Sequence, residues 1–210
     1  MKTITVENIV KAVDGALLTG GAAGTVSSVA VDSRKVTQGT LFVALPGERA
    51  DGHDFLKAAM DAGCTAALVS KKPEGVLAEA LQKGIALIRV ANTEQALMDL
   101  AAWYLTQFDL IKVGVTGSVG KTSTKEMVYR ILSRRYKTIR NLGNFNNNIG
   151  LPLTAFNVEE DTEAAVFEMG MDRLGEIHGL AKIVRPDAGI ITTVGISHLE
   201  RLGSREKLSD

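Results

Sequence analysis

One stretch near the middle of the chain constrains its fold most, because a strand pattern, a glycine turn and a helix pattern follow one another there. The apolar run over 111–115 predicts a strand, and helical spacing of apolar residues predicts a helix over 121–136. Between them lies G-x-x-G-K-T, from Gly117 to Thr122, the shorter form of a phosphate-binding loop. The longer form has a glycine where this chain has Val115. The order of strand, turn and helix nevertheless predicts a phosphate site in an α/β fold.

The loop residues have the chemistry that binding a nucleoside triphosphate requires. Glycines let backbone N–H groups turn toward phosphate oxygens, and the following helix adds the positive end of its dipole. The Lys121 side chain can reach the β- and γ-phosphates, and the Thr122 hydroxyl can bind Mg²⁺. The alternative is an ordinary glycine turn before a helix. The predicted cofactors are ATP and Mg²⁺, held by Gly117, Ser118, Val119, Gly120, Lys121, Thr122 and Ser123.

The rest of the chain also alternates between strand and helix patterns, which indicates the α/β class. Further strands are predicted over 26–31, 40–45, 65–69, 85–90, 164–167 and 188–194, and the last two are apolar enough to be buried parallel strands. Helices are predicted over 51–62, over 76–83 and after Asn92, whose spacing to Gln95 fits a capping box. No Pro- or Gly-rich linker marks a domain boundary. We place the boundary between two domains, 1–91 and 92–210.

Composition excludes several functional classes. Lys plus Arg equals Asp plus Glu, at 24 each, so no net charge attracts the chain to nucleic acid or an anionic membrane. No apolar run is long enough to span a membrane, and the N-terminus lacks the pattern of a secretory signal. The single cysteine, Cys64, cannot form an intrachain disulfide and is expected to be a buried apolar residue. A cytoplasmic monomer without nucleic-acid partners is expected.

Glu168 is the acidic residue that we single out as a metal ligand. It ends the predicted strand over 164–167, and ligands of parallel sheets gather at the carboxyl ends of strands. A carboxylate oxygen suits a hard cation such as Mg²⁺. The alternative is a solvated glutamate at the edge of the sheet.

Several segments resemble the Mur ligase family. The loop from Thr116 to Thr122 is similar to the phosphate loop of that family, in which the first glycine is commonly absent. Glu168-Met169-Gly170, followed by Gly175-Glu176-Ile177, resembles the branch that adds D-alanyl-D-alanine. The other similar segments, in chain order, are Asp32-Ser33-Arg34, 39–47, 51–55, 144–152, and 195–200 with Gly203-Ser204.

The resemblance implies an ATP-dependent ligase of peptidoglycan precursor synthesis. ATP would activate a carboxylate of UDP-N-acetylmuramoyl-tripeptide as an acyl phosphate, and the amine of D-alanyl-D-alanine would then attack it. The implied fold is a small UDP-substrate domain followed by part of a P-loop ATPase domain with a parallel sheet. Members of the family are longer, so the chain is expected to end before a metal-bridging lysine and a third domain.

The resemblance also implies roles for individual residues. The residues implied to contact the UDP precursor are Ser33, Arg34, Gly47 and His53, and those implied to contact the nucleotide are Asn147 and Asn148. The residues implied to be catalytic are Lys121, Glu168 and His198. Of these, Glu168 and His198 would also bind the metal, together with Thr122. Simpler interpretations remain open. Arg34 could be an ordinary exposed arginine, His53 could set a turn, and the two asparagines could be loop residues. His178 matches no functional position and is interpreted as structural.

Two other functional classes share parts of this pattern. A small-molecule kinase would use Lys121 and Thr122 but would not need the Asp32-Ser33-Arg34 segment. A nucleotide- or UDP-sugar-binding module would bind these ligands without catalysis. Formation of an amide product distinguishes the ligase from both.

Overall fold

The computed structural model describes residues 1–47, 50–73, 75–171 and 173–194. The chain divides into two compact units, Met1–Leu100 and Ala101–Asp210, each built on its own sheet. The α/β class predicted from the sequence is confirmed. The domain boundary that we placed after residue 91 stays a prediction.

The first unit is built on a five-stranded sheet. Its strands lie in the order β2-β7-β6-β5-β4; β4 to β7 are parallel and β2 is antiparallel to β7. A small antiparallel pair, β1 with β3, stands apart from it. In chain order the elements are β1 (Ile4–Thr5), α1 (Val6–Ala12), β2 (Ala16–Thr19), β3 (Thr25–Val26), β4 (Ser28–Ala30), β5 (Thr40–Val43), α2 (Leu56–Asp61), β6 (Ala66–Val69), α3 (Leu77–Gln82) and β7 (Ala86–Arg89). The next helix, α4 (Thr93–Leu105), begins in the first unit and ends in the second.

The central strands of this sheet are buried on both faces. Every residue of β5 and β6 is buried, as expected for parallel strands covered on both sides. Phe42, Leu56 and Met60 pack in one core cluster with Cys64. The burial predicted for Cys64 is confirmed, and it raises the pKa of the Cys64 thiol to about 11. The thiol therefore stays protonated at neutral pH.

Two elements of the first unit differ from the sequence prediction. The strand predicted over 26–31 is divided between β3 and β4, which belong to different sheets, because the N–H of Ser27 donates to the Gly39 carbonyl oxygen between them. The helix predicted over 51–62 begins as a 3-10 helix, Gly52–Phe55, and continues as α2. The Asp51 carboxylate accepts from the His53 N–H and begins that 3-10 helix.

The second unit is built on a four-stranded, all-parallel sheet in the order β11-β8-β10-β9. Of the two central strands, β10 is buried along its whole length and β8 is buried over its middle residues. In chain order the elements are β8 (Ile111–Thr116), α5 (Lys121–Leu132), β9 (Thr138–Arg140), α6 (Gly150–Ala155), β10 (Ala164–Glu168), α7 (Glu176–Val184) and β11 (Ala188–Ile191).

Two predictions for the second unit are wrong in detail. The helix predicted to reach residue 136 ends at Leu132, because the N–H groups of Arg134 and Arg135 reach back only three residues. The last strand is parallel as predicted but mostly exposed, because β11 is an edge strand that pairs only with β8 among the described residues. Over the same residues, no helix is long and apolar enough to cross a membrane.

Candidate functional site

The phosphate loop joins the end of β8 to the start of α5, as its sequence predicts. Two of its glycines have backbone angles that side chains rarely adopt, with φ of 130° at Gly117 and 86° at Gly120. A Cβ atom added at Gly117 would lie 2.2 Å from the Thr192 hydroxyl oxygen and 3.0 Å from the backbone nitrogens of Thr192 and Thr193. Position 117 therefore requires glycine both for its conformation and for space.

Two threonines that follow β11 hold this loop in place. The Thr192 hydroxyl donates to the Val119 carbonyl oxygen at 2.6 Å, and the Ser118 N–H donates to the Thr193 carbonyl oxygen at 2.8 Å. The backbone N–H of Thr192 also donates to the carbonyl oxygen of Thr116 at 2.9 Å. Sequence reasoning did not identify these threonines. The sequence feature that could have identified them is a pair of hydroxyl residues directly after an apolar strand.

The start of α5 has the properties of an anion site. Gly120 is its N-cap and supplies no side-chain hydrogen bond, so no side chain caps the first turn from that position. The ammonium of Lys121 donates to the Gly117 carbonyl oxygen at 2.6 Å and approaches that of Ser118 at 3.4 Å. Thr122 and Ser123 are exposed beside it. The helix terminus and a lysine charge thus meet at one loop.

Glu168 ends β10 next to this loop. It pairs in register with Val115 of β8, the strand that leads into the loop. Its side chain is 2% exposed, so the alternative of a solvated edge glutamate is wrong. Asn146 donates to one carboxylate oxygen, Oε1, at 3.0 Å, and the buried Asn141 bonds both the N–H and the carbonyl oxygen of Glu168. A buried carboxylate is therefore held in a fixed position at the carboxyl end of the sheet.

A buried lysine lies beside this carboxylate. Lys125 of α5 is 0% exposed, and its Nζ lies 3.4 Å from Oε2 of Glu168 and 3.5 Å from Oε1 of Glu126. Within the described ranges, neither Nζ of Lys125 nor Oε2 of Glu168 has a hydrogen-bond partner. Arg140 donates to Glu126 at 2.8 Å, and this bond is the main cause that lowers the pKa of the Glu126 carboxyl. Sequence reasoning did not identify Lys125, Asn141 or Asn146.

The asparagine-rich segment leads into α6. The Oδ1 atom of Asn147 accepts from the N–H groups of Ile149 and Gly150, at 3.2 and 2.8 Å, so this side chain caps the start of the helix. Asn148 is half-buried. The nucleotide role implied for both asparagines stays a prediction.

In the first unit, Ser33 and Arg34 lie in a 3-10 helix, Ser33–Lys35, two residues after β4. The Asp32 carboxylate accepts from the backbone N–H of Arg34 and from its guanidinium at 2.9 and 2.7 Å. These bonds from Arg34 lower the pKa of Asp32 to about 2. The Arg34 side chain is still 87% exposed. Its predicted contact with a diphosphate stays a prediction, and so does that of Ser33.

His53 is tied to its own unit through both ring nitrogens. Nδ1 lies 2.6 Å from Oδ1 of Asp51, and Nε2 accepts from the Ser70 N–H at 2.9 Å. Asp51 also pairs with the ammonium of Lys71, which is the main reason that the pKa of Asp51 lies far below its usual value. These contacts fit a residue that fixes the turn after β5. Gly47 is exposed, and the substrate roles implied for His53 and Gly47 stay predictions.

The predicted metal site is only partly within the described residues. Over those residues, no group of at least three His, Cys, Asp or Glu side chains could hold a metal ion. The predicted second ligand, His198, lies outside the described residues, as do the segment 195–200, Gly203 and Ser204. Thr122 and Glu168 are the predicted ligands that the structure describes. His178 is exposed on α7.

Comparison with protein families gives two matches that follow one another along the chain. A family model described as the Mur ligase middle domain matches residues 115–210. A second model, described as the catalytic domain of the Mur ligase family, matches residues 25–103.

Curated relatives extend the likeness over nearly the whole chain. UDP-N-acetylmuramoyl-tripeptide–D-alanyl-D-alanine ligase of Bacillus subtilis (strain 168) is 44% identical over 211 residues, which cover 98% of this chain and 44% of that protein. The protein of the same name from Escherichia coli (strain K12) is 38% identical, over 97% of this chain and 43% of that protein. The chain therefore spans less than half the length of these relatives.

Solved structures agree with the sequence relatives. A crystal structure of MurF from Acinetobacter baumannii is 33% identical with a TM-score of 0.91, and the match covers 100% of this chain and 45% of that one. A crystal structure of MurF ligase from Thermotoga maritima in complex with ADP is 35% identical with a TM-score of 0.78, over 91% of this chain and 42% of that one.

Proposed function

The chain belongs to the Mur ligase family, and we propose that it forms the UDP-precursor-binding and ATP-binding parts of a ligase that joins D-alanyl-D-alanine to UDP-N-acetylmuramoyl-tripeptide. Relatives of 38% and 44% identity carry the name of that ligase. The chain spans less than half of their length, so the proposal for this chain alone is ligand binding.

The proposed reaction has two steps. A carboxylate oxygen of the tripeptide attacks the γ-phosphorus of ATP, which forms an acyl phosphate and releases ADP. The amine of D-alanyl-D-alanine then attacks the acyl carbon, loses a proton and displaces inorganic phosphate, which leaves an amide. The first step brings several anionic oxygens together, so it needs positive charge placed near the transferred phosphoryl group.

One observation carries the proposal, namely that the phosphate loop and Glu168 lie at the carboxyl ends of neighbouring strands. Met169, which follows Glu168, donates its N–H to the Val115 carbonyl oxygen at 2.8 Å, so β10 ends beside the start of the loop. The Lys121 ammonium now bonds loop carbonyl oxygens. On nucleotide binding, we expect it to move to the β- and γ-phosphates, which are stronger acceptors.

The residues present fit Mg²⁺, which would offset charge on the phosphate oxygens. Oε2 of Glu168 is buried and accepts no hydrogen bond from the residues that the structure describes, so it has lone pairs left for a hard cation. Thr122 carries an exposed hydroxyl in the first turn of α5. We propose Glu168 and Thr122 as ligands, with His198 as a further ligand.

The first unit is proposed to bind the UDP end of the acceptor. Arg34 presents a guanidinium that Asp32 holds at the surface, and a planar guanidinium suits a diphosphate. A cytoplasmic location and a monomeric state belong to the same proposal.

Competition between ligands tests this proposal and its alternatives. We expect saturation-transfer NMR to show signal on the uridine protons of UDP-N-acetylmuramoyl-tripeptide, and UDP to displace the ligand. No transfer in a folded sample, or equal displacement by a GDP-sugar, would contradict UDP-precursor binding.

Product analysis separates the ligase from the kinase. With the remainder of the enzyme present, mass spectrometry should show the amide product and inorganic phosphate. A stable phosphorylated small molecule without amide formation would favour the kinase instead.

A further inference from the structure

Lys125 is a buried ammonium that hydrogen bonds do not explain. Lysine is almost never fully buried unless it is paired, because removing its charge from water costs free energy. Here Nζ has no hydrogen-bond partner in the described part of the chain, and two carboxylate oxygens, of Glu168 and Glu126, lie 3.4 and 3.5 Å from it. Opposite charges are therefore what holds this ammonium in place.

Glu168 divides its two carboxylate oxygens between different partners. Oε1 accepts a hydrogen bond from Asn146 at 3.0 Å, which fixes the plane of the carboxylate. Among the residues that the structure describes, Oε2 has the ion pair with Lys125 and no hydrogen bond. Because no donor from the described part of the chain hydrogen-bonds to Oε2, its lone pairs can still bind a small cation.

A second carboxylate, that of Glu126, also pairs with Lys125. Glu126 lies between Lys125 and Arg140, and the Arg140 guanidinium also lies 3.8 Å from the centre of the Tyr129 ring. Positive and negative charges thus alternate from Arg140 through Glu126 and Lys125 to Glu168. If another cation takes Oε2, Lys125 keeps Glu126 as a counter-ion.

We propose that Lys125 is a positioning residue that holds the Glu168 carboxylate as its internal counter-ion and competes with the divalent cation for Oε2. This inference rests on the proposed metal role of Glu168. In the absence of the cation, Lys125 keeps a buried carboxylate from being unpaired. When the cation binds, the two positive charges repel each other, so the metal site is weaker than the carboxylate alone would make it.

Metal affinity is the first test. Mn²⁺ binding to the nucleotide-free chain is followed by the EPR signal of free Mn²⁺, with Glu168→Gln to identify the part that depends on this carboxylate. Lys125→Met removes the charge and keeps an unbranched apolar chain, and we expect about tenfold tighter Mn²⁺ binding because a like charge is lost. Lys125→Arg is the matched control. It keeps the charge and is expected to bind Mn²⁺ no more tightly than the parent chain.

Thermal unfolding is the second test, and its readout is independent of the binding isotherm. The Lys125→Met variant leaves Glu168 buried without a cation, so without metal this variant should melt at a lower temperature than the parent chain. Addition of Mn²⁺ should raise the melting temperature of the variant by more than it raises that of the parent. Combining Lys125→Met with Glu168→Gln removes both charges. This double variant should regain stability without metal and lose the Mn²⁺ response.

The outcomes separate the inference from the proposed metal site. If Glu168→Gln weakens Mn²⁺ binding but Lys125→Met binds Mn²⁺ like the parent, Lys125 is a structural residue and the inference is wrong. If Glu168→Gln leaves Mn²⁺ binding unchanged in a folded chain, the metal role of Glu168 fails and the inference fails with it. If Lys125→Met does not fold, the inference still requires that the double variant folds and that Mn²⁺ does not stabilise it.

Discussion

The two sheets differ in how the polar side chains near the carboxyl ends of their strands are hydrogen-bonded. In the first unit, the charged side chains after the strands bond one another: Arg34 bonds Asp32, and His53 bonds Asp51 and the backbone of Ser70. In the second unit, the start of α5 has no side-chain cap from Gly120, and neither Nζ of Lys125 nor Oε2 of Glu168 has a hydrogen-bond partner among the described residues. A ligand of the first unit would therefore contact side chains that already bond one another, whereas a ligand of the second would contact groups that can still form hydrogen bonds or bind a cation.

This difference predicts where substitutions do most damage. Changes at the phosphate loop and around Glu168 remove buried groups or groups that we propose as ligand contacts. Changes at the first unit's surface pairs remove interactions that water can replace. The largest effects should therefore lie in the second unit, and each experiment below would weaken or sharpen that contrast.

The largest expected effect is at Gly117. A Gly117→Ala side chain would collide with Thr192 and would adopt a φ of 130°, so the loop must move. We expect a loss of about 3 kcal/mol in the free energy of unfolding and no detectable Mg·ATP binding. Urea unfolding and calorimetry measure the two effects. Gly189→Ala is the control, because an added Cβ there has nothing within 4 Å; equal damage in both variants would contradict the account.

Asn141 should give the next largest effect. Asn141→Ala leaves the buried N–H and carbonyl oxygen of Glu168 without their partner, so we expect a stability loss of about 2 kcal/mol in urea unfolding. Mn²⁺ binding should also weaken, since the main chain of Glu168 is no longer held. The exposed Asn157 provides the matched control, Asn157→Ala. A folded Asn141→Ala variant with unchanged stability would show that the buried amide does not position Glu168.

Asp51 gives a pH-dependent effect in the first unit. The Lys71 ammonium and the N–H and ring of His53 lower the pKa of Asp51 below its usual value of 3.8. A lowered folded-state pKa means that this stabilisation is present above about pH 4 and is lost as the pH falls through the folded-state pKa. Thermal melts from pH 7 downward should show a shallower decline for Asp51→Asn than for the parent. Asp54→Asn, at a neighbouring exposed position, serves as the control. If the melting temperature of Asp51→Asn falls with pH as steeply as that of the parent, the bonds of Asp51 with Lys71 and His53 do not stabilise the fold.

The smallest effect on stability is expected at Arg34. Its ion pair with Asp32 is exposed to water and should contribute little to stability, so Arg34→Ala should unfold at nearly the parent's urea concentration. Binding of UDP-N-acetylmuramoyl-tripeptide should still weaken about tenfold, because a charged contact to the diphosphate is lost. Lys35→Ala tests whether this loss is specific to Arg34. Unchanged precursor affinity in Arg34→Ala would remove Arg34 from the proposed substrate site.

The same contrast explains what could be predicted from the sequence. The phosphate loop is proposed to bind through backbone N–H groups and one lysine between a strand and a helix. Nearly all of the sequence pattern that predicts it therefore lies within residues 111–122. Glu168 could be placed because it directly ends an apolar strand. The class of the fold followed from alternating patterns of the same local kind.

The residues that escaped prediction act across large sequence separations. Thr192 bonds Val119 from 73 positions away, and Asn141 bonds the Glu168 backbone from 27 positions away. The sequence pattern of α5 gives no reason to expect a buried charge at Lys125. Its burial depends on Glu168, which the fold brings next to it. The exposure of β11 also depends on what lies beside the strand, which its apolar residues do not reveal.

The central claim is that the chain has two separate sites, one for Mg·ATP in the second unit and one for the UDP precursor in the first. Calorimetric titration of the parent chain and of Lys121→Ala with each ligand tests it most directly. We predict that Lys121→Ala weakens Mg·ATP binding by about thirtyfold, because a charged hydrogen bond to phosphate is lost, and leaves UDP-N-acetylmuramoyl-tripeptide binding unchanged. Equal loss of both affinities in a folded variant, or binding of neither ligand by the folded parent chain, would contradict the account.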